Sequence, residues 1–201
     1  MGLDMYFRAV IPAPKDSVLA KVIEEHLTDE IVESLDRPEY EGQAYKPTAY
    51  LSGWTFGNRE PDAIYSAIAL ETGVTPTEGS PSMYLSRDGE GGYIVQPTIF
   101  YWRKANAIHR WFVENCQGGV DECQESVVHP ELLADLISKC EEITLDHSKT
   151  DLLETQGGFF FGSTDYDEWY FEDIKATAVG LKAAVEIAMP KATHFIYQSS
   201  W

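Results

Sequence analysis

A histidine and a carboxylate are the side chains of this sequence best suited to chemistry. His109 falls inside the apolar arc of a segment with helical period, residues 102–116. Asp173 falls in the inward arc of a second helical segment, residues 165–188. Because a lone carboxylate in an apolar setting is costly unless it is paired or neutralised, the pattern predicts that the two segments face each other.

Three interpretations of this pair stay open. In one, His109 and Asp173 belong to a polar network that includes Asn106 or Arg103 and fixes how the helices dock. Such a network is needed because an unpaired buried polar group costs about 1–3 kcal/mol. In another, His109 and Asp173 form the floor of a pocket and act on a ligand. In the last, the phase of a helix leaves one of the two groups exposed.

Basic residues are concentrated in the same segment of the sequence as His109. Arg103, Lys104 and Arg110 form the densest basic cluster in an acidic chain. Guanidinium and ammonium groups suit phosphate or carboxylate ligands, so this cluster is the predicted seat of an anionic group. The alternative is that these bases only neutralise neighbouring acids.

Aromatic residues are concentrated in the same segments. Rings such as those of Trp102, Tyr166 and Tyr170 can stack on a base or a sugar, although they can equally be core side chains. The predicted ligand-binding residues are therefore Trp102, Arg103, Lys104, Asn106, His109, Arg110, Tyr166, Tyr170 and Asp173.

The charge of the chain excludes some partners. The 201 residues include 15 Lys and Arg against 33 Asp and Glu, a formal net charge of −18, with −9 in each half when the chain is divided after residue 100. A protein this negative repels phosphate backbones, so direct binding to nucleic acid is not expected.

No apolar run approaches the roughly 18 residues of a membrane span, and the N-terminal sequence lacks the pattern of a signal peptide. Three cysteines, an odd number, indicate a reducing compartment.

Motifs of the common catalytic classes do not occur. The sequence lacks a P-loop, a dinucleotide-binding glycine pattern and a nucleophile elbow. His109, Cys116, Cys123 and His129 do not have the spacing of a zinc site. We therefore expect no metal and no cofactor. An enzyme that uses His109 as general base and Asp173 to orient it is kept only as a weaker alternative.

Helices and strands alternate along the chain, with hairpin-like turns between the strands. The pattern predicts one α+β domain over residues 1–201, a mixed, mostly antiparallel sheet packed by about four to five helices. Long loops are expected at 37–60 and 74–82, the first interrupted by a strand at 49–56. The other predicted strands are 5–11, 83–86, 93–101, 125–129, 157–163 and 194–198, and the predicted helices are 16–35, 62–72, 102–117, 130–143 and 164–189, the last opened by a Thr164–Asp167 capping box.

Three segments carry a resemblance to a known family: MGLDMY, YWRKANAIHRWFVEN and GFFFGSTDYDEWYFEDI. Together they resemble an uncharacterised family of small proteins encoded by bacteriophages and by bacteria that carry prophages. The resemblance implies a viral setting, and with it the cytoplasm of a bacterial host cell, but no mechanism.

Two functions of different class follow. The first is a phage-type accessory or anti-defence protein that binds a small anionic, nucleotide-like ligand. The second is an acidic inhibitor that mimics nucleic acid and binds a host protein, with an affinity that falls as salt screens the charges. A homo-oligomer is left open, since twofold assemblies are common.

Overall fold

An antiparallel sheet of six strands forms the centre of the computed structural model, which describes residues 2–37, 47–53 and 62–201. In space the strands follow the order β2-β3-β4-β1-β6-β5. β3 and β4 form the predicted hairpin, whose strands pair in antiparallel register. The strands are β1 (Asp4–Ala13), β2 (Thr48–Ser52), β3 (Ser82–Arg87), β4 (Tyr93–Arg103), β5 (Ser126–Val128) and β6 (His194–Ser200).

Six helices pack with this sheet over the described residues, so the predicted α+β fold is confirmed, with one helix more than expected. A π-helical turn, Thr177–Leu181, joins α6 and α7 into one continuous helix. With α6 and α7 counted as one helix, the six described helices carry seven labels: α1 (Val18–Glu25), α2 (Asp29–Leu35), α3 (Ala63–Thr72), α4 (Asn106–Cys116), α5 (Pro130–Leu145), α6 (Glu168–Ala176) and α7 (Lys182–Ala188).

Strand alternation separates the two faces of the sheet. On β1, Met5 and Phe7 are fully buried, whereas Tyr6 between them belongs to the opposite face. Phe7 stacks on Phe195 of β6, and Phe112 of α4 stacks on Tyr197 with ring centroids 3.9 Å apart. Burial of each such side chain stabilises the fold by about 1.5–3 kcal/mol. This packing holds α4 against β1 and β6.

The helix predicted at 16–35 is two helices. Ser17 caps α1, and the Thr28 side chain accepts a hydrogen bond from the Ile31 amide to begin α2. Threonine at this position supplies an acceptor for the orphan amides of a helix start. The apolar period runs through both helices, so the period alone did not reveal the break.

The helix predicted at 102–117 begins later, at Asn106. Trp102 and Arg103 instead end β4, where they pair with Met5 and Asp4 of β1. Lys104 then adopts a left-handed φ of 62°, and its amide donates to the Leu3 carbonyl. Ladder hydrogen bonds to β1 therefore outweigh the helical period at this end of the segment.

Residues 157–163 form a turn, so the strand predicted there is wrong. The Phe161 amide donates to the Gly158 carbonyl at 3.2 Å, and Gly162 has a φ of 89° that favours glycine. Phe159 is 93% exposed. The run of three phenylalanines has the composition of a strand, but the Phe161–Gly158 hydrogen bond and the left-handed Gly162 make a turn of it.

The helix predicted from Thr164 begins at Glu168, because Asp167 is its N-cap. The Asp167 carboxylate accepts a hydrogen bond from the Tyr170 amide at 3.1 Å. An aspartate here satisfies an orphan amide and also interacts favourably with the positive end of the helix dipole.

Most of the loop predicted at 37–60 lies outside the described residues. Within the part that is described, β2 is shorter than the predicted strand at 49–56, of which residues 54–56 are not described. The passage from 74 to 81 has no helix or strand, and β3 begins at Ser82. Among the described residues no helix has the length and apolar character needed to cross a membrane.

Candidate functional site

A cavity of about 330 Å³ lies between the start of α4 and one side of α6, and we call it the α4–α6 cavity. Its volume is at the lower end of the roughly 300–1,000 Å³ usual for small-molecule sites. Five of the nine predicted ligand-binding residues line it: Arg103, Lys104, Asn106, Tyr170 and Asp173. The structure therefore brings together a basic edge and an acidic wall that are about 70 residues apart in the sequence.

The basic edge lies at the N-terminus of α4. The N-cap, Ala105, has no side chain that could cap the helix, and the amides of Ala107 and Ile108 have no acceptor among the described residues. Both residues line the cavity. Free amides at a helix start, together with the positive end of the dipole, attract anions.

Arg103 and Lys104 add two full charges to this edge. Both are exposed, and neither forms an ion pair with a described residue. Their position follows from the end of β4 and the left-handed turn at Lys104, which direct the chain from the sheet into α4. The charges are therefore available to a ligand.

Asn106 shapes the cavity through hydrogen bonds that it already makes. Its Nδ2 donates to the carbonyls of Phe161 at 3.1 Å and Ser163 at 2.8 Å, and its Oδ1 accepts from the Gln156 amide at 3.1 Å. The side chain is 5% exposed. These bonds tie the 154–164 loop to the first turn of α4, so the predicted role in ligand contact becomes mainly one of positioning.

Asp173 forms the acidic wall. Burial and the carboxylates of Glu172 and Asp167 raise the pKa of Asp173 to about 7. No described group donates a hydrogen bond to its carboxylate. By contrast, the Asp165 carboxylate accepts a hydrogen bond from Ser163, and Asp167 caps α6. Asp173 is thus the carboxyl of this cavity that lacks a protein partner among the described residues.

Aromatic rings form the rest of the wall. The Tyr170 hydroxyl donates to the Leu153 carbonyl at 2.8 Å, which leaves its ring to the cavity. Tyr166 packs edge-on against Tyr170 and lies outside the lining, contrary to its predicted role. Trp169, which was not predicted, lines the cavity and is 74% exposed. The signal that could have found it is its position four residues before Asp173, on the same side of α6.

His109 lies in the core, so its predicted pairing with Asp173 is wrong. The imidazole is fully buried. Its Nδ1 lies 2.7 Å from the Tyr197 hydroxyl and its Nε2 lies 2.9 Å from the Asp121 carboxylate. Burial lowers the pKa of His109, and Asp121 partly opposes that change. A neutral ring that donates through Nε2 to Asp121 and accepts at Nδ1 from Tyr197 satisfies the whole network.

The helical period correctly placed His109 on the buried side of α4, but it could not identify the hydrogen-bond partner of the imidazole. Asp121 belongs to the loop after α4, and helical periodicity gives no information about the positions of loop residues. The first interpretation, a satisfied polar network, therefore describes His109, with a different carboxylate from the one predicted. The His109–Asp173 acid–base pair, on which the enzyme alternative depends, is absent from the described structure.

Trp102 and Arg110 also lie away from the cavity. Trp102 is 3% exposed, and its Nε1 donates to the Thr177 hydroxyl at 2.9 Å, because its place on β4 directs it into the core. Arg110 pairs with Glu114 at 2.8 Å and Glu154 at 2.9 Å. Neutralisation of neighbouring acids therefore accounts for Arg110, but not for Arg103 and Lys104.

No group of three or more His, Cys, Asp or Glu side chains among the described residues could hold a metal ion. The chain matches no protein-family model, no curated protein and no solved structure.

Proposed function

We propose that this protein binds a small anionic, nucleotide-like ligand in the α4–α6 cavity, as a phage-type accessory or anti-defence protein. The observation that carries the proposal is the charge arrangement of one cavity. One edge is formed by two amides at the start of α4 together with Arg103 and Lys104, and the carboxyl of Asp173 lies in the wall. None of these groups has a hydrogen-bond or ion-pair partner among the described residues.

The basic edge suits the phosphate or carboxylate of such a ligand. Each anion–dipole contact at a helix start contributes about 0.3–1 kcal/mol, and each hydrogen bond to a charged group about 1.5–3 kcal/mol. In a chain of net charge −18, an anion is repelled by most of the surface. A local basic edge is then needed to hold it.

The opposite wall suits the base of a nucleotide. Trp169 is exposed and lines the cavity, so its ring is available for stacking. Asp173, with its pKa near 7, can accept a hydrogen bond from an exocyclic amine when it is ionised, or donate one when it is protonated. Trp169 therefore replaces Trp102 and Tyr166 as the stacking residue of the proposal.

Mass spectrometry of small molecules released from the purified protein, followed by thermal-shift measurements with a nucleotide panel, tests this function. A nucleotide at a hundredfold excess over its Kd should stabilise the fold by about 2.7 kcal/mol. For a domain of this size that corresponds to a rise in Tm of roughly 5–11 °C.

Two matched substitutions locate the ligand. Arg103→Gln removes a cavity charge and should weaken binding about tenfold. Arg110→Gln removes the same charge outside the cavity and should leave the affinity unchanged. Equal effects of the two variants would contradict the site.

Expression in a bacterial host tests the biological role. The wild-type protein should raise the plaquing efficiency of an otherwise restricted phage, and Arg103→Gln should reduce that gain. If no nucleotide binds, and a host nucleic-acid-handling protein is captured with an affinity that collapses with salt, the acidic-inhibitor function replaces the proposal.

A further inference from the structure

Tyrosines line a second cavity, of about 710 Å³, next to the face of the sheet that Tyr6 belongs to. We call it the tyrosine cavity. Its lining also includes a carboxylate, an amide and several serines, and it shares no residue with the α4–α6 cavity. The lining residues that matter for recognition are Tyr6, Tyr50, Tyr84, Tyr101, Glu122 and Gln198.

Strand register sets the rings in two pairs. Tyr50 and Tyr84 are directly opposite each other on β2 and β3, and Tyr6 and Tyr101 are opposite on β1 and β4. In both pairs the ring centroids are 5.6 Å apart, with planes inclined at 67° and 47° respectively. Inclined rings form walls around a compact group, whereas parallel rings would suit a flat one.

The ring of Tyr84 already contacts a cation of the protein, the Arg8 guanidinium. The Arg8 guanidinium carbon lies 4.9 Å from the centroid of Tyr84, within the range of a cation–π contact. Arg8 is 3% exposed and is neutralised by Glu125 at 2.6 Å. A buried positive charge is therefore stabilised next to this cavity by a ring face and a carboxylate.

Charges around the tyrosine cavity favour a positive ligand. Glu122 is its charged lining residue, and no Lys or Arg among the described residues lines it. At its edge, the Tyr101 hydroxyl donates to Asp4. Two cations oppose this field in part. Arg8 is paired with Glu125 and donates to the lining residue Gln198, and Arg103 projects from the same face of β4 two residues beyond Tyr101. Burial raises the pKa of Tyr101 to about 12, so that its ring is neutral at pH 7.

We propose that the tyrosine cavity binds an organic ammonium ion, whose charge contacts the tyrosine ring faces and the Glu122 carboxylate. Aromatic rings attract such ions through their quadrupole, and alkylammonium groups are weakly hydrated compared with metal ions. The phenol and serine oxygens can accept hydrogen bonds from an ammonium N–H or from a hydroxyl on the same ligand. This site is independent of the function proposed for the α4–α6 cavity.

Choline and its neutral isostere 3,3-dimethyl-1-butanol distinguish charge from shape. In NMR titrations of the full chain at pH 7, choline should bind at least tenfold more tightly than the isostere. Equal binding of the two, or no binding of choline, would overturn the proposal. Tighter binding of methyl glucoside than of choline would also overturn it, because the cavity would then be a hydrogen-bonding sugar site.

Two pairs of variants locate the ion. Tyr50 is 55% exposed, so its substitution should leave folding intact. Tyr50→Leu removes the ring and should weaken choline binding about two- to fivefold, whereas Tyr50→Phe keeps the ring and should not. Glu122→Gln should weaken binding to a similar extent. Glu90→Gln removes the same charge from the exposed β3–β4 turn and should have no effect. The site would be refuted if Glu122→Gln and Glu90→Gln both weakened choline binding. It would also be refuted if Tyr50→Leu bound choline as tightly as wild type.

Discussion

Replacing Asp173 by asparagine should make the protein more stable at alkaline pH. The substitution keeps the shape of the side chain and removes its charge. In the folded protein the pKa of Asp173 is raised from 3.8 to about 7 by burial and by nearby carboxylates. In the unfolded chain the carboxyl has its ordinary acidity, so the folded state binds the proton more tightly than the unfolded state.

The direction of the pH effect follows from linkage. The contribution of a protonated Asp173 to stability is complete below about pH 3.8 and is lost as the pH rises through about 7. One pKa unit corresponds to about 1.4 kcal/mol, which sets an upper bound of about 4 kcal/mol at pH 8. Because the carboxyl lies at a cavity open to water, we expect about 1–2 kcal/mol.

Urea unfolding followed by tryptophan fluorescence between pH 5 and pH 8 measures this effect. The stability of the asparagine variant relative to wild type should increase with pH over that range. Asp165→Asn is the matched control, since Asp165 lines the same cavity but is exposed and hydrogen-bonded to Ser163. A pH-independent difference for Asp173→Asn, or a variant less stable than wild type at pH 8, would refute the reasoning.

Three further substitutions test the remaining contacts. Tyr197→Phe removes the hydroxyl that lies 2.7 Å from His109 and leaves a buried ring nitrogen unpaired, so urea unfolding should show a loss of about 1–3 kcal/mol. Asn106→Ala removes three hydrogen bonds, one of them buried and two part-buried, and should cost about 2–4 kcal/mol in the same assay, together with faster proteolysis of the 154–164 loop. Arg110→Ala breaks two surface ion pairs and a long hydrogen bond to the Thr155 carbonyl, and should change the free energy of unfolding by less than about 1 kcal/mol. A larger loss would show that these contacts are structural.

Much of the fold could be predicted because local patterns decide it. The β3–β4 hairpin, the end of α3 at the left-handed Gly73 and the start of α5 at Pro130 are where turn and cap chemistry placed them. Errors occurred where tertiary contacts prevailed. Trp102 is in β4 because β1 pairs with it, and no periodicity within the segment contains that information.

The candidate site could be predicted in part for the same reason. Residue type and position near α4 sufficed to select Arg103 and Lys104, and the inward arc sufficed to select Asp173. The partner of His109 could not be found, because Asp121 reaches the ring from a loop. The anion-binding amides at the start of α4 could not be predicted either, because the position of that start depends on where β4 ends.

The adjacency of β1 and β6 has a consequence for how this chain acquires its structure. Arg8 and Gln198 are separated by 190 positions and yet are joined by a hydrogen bond of 2.9 Å. During synthesis on the ribosome, β1 can pair along only one of its two edges until β6 has emerged. Among the described strands, β5 pairs only with β6. The entropy of closing so long a loop slows this step. Until β6 has emerged, the second edge of β1 is therefore open to chaperones.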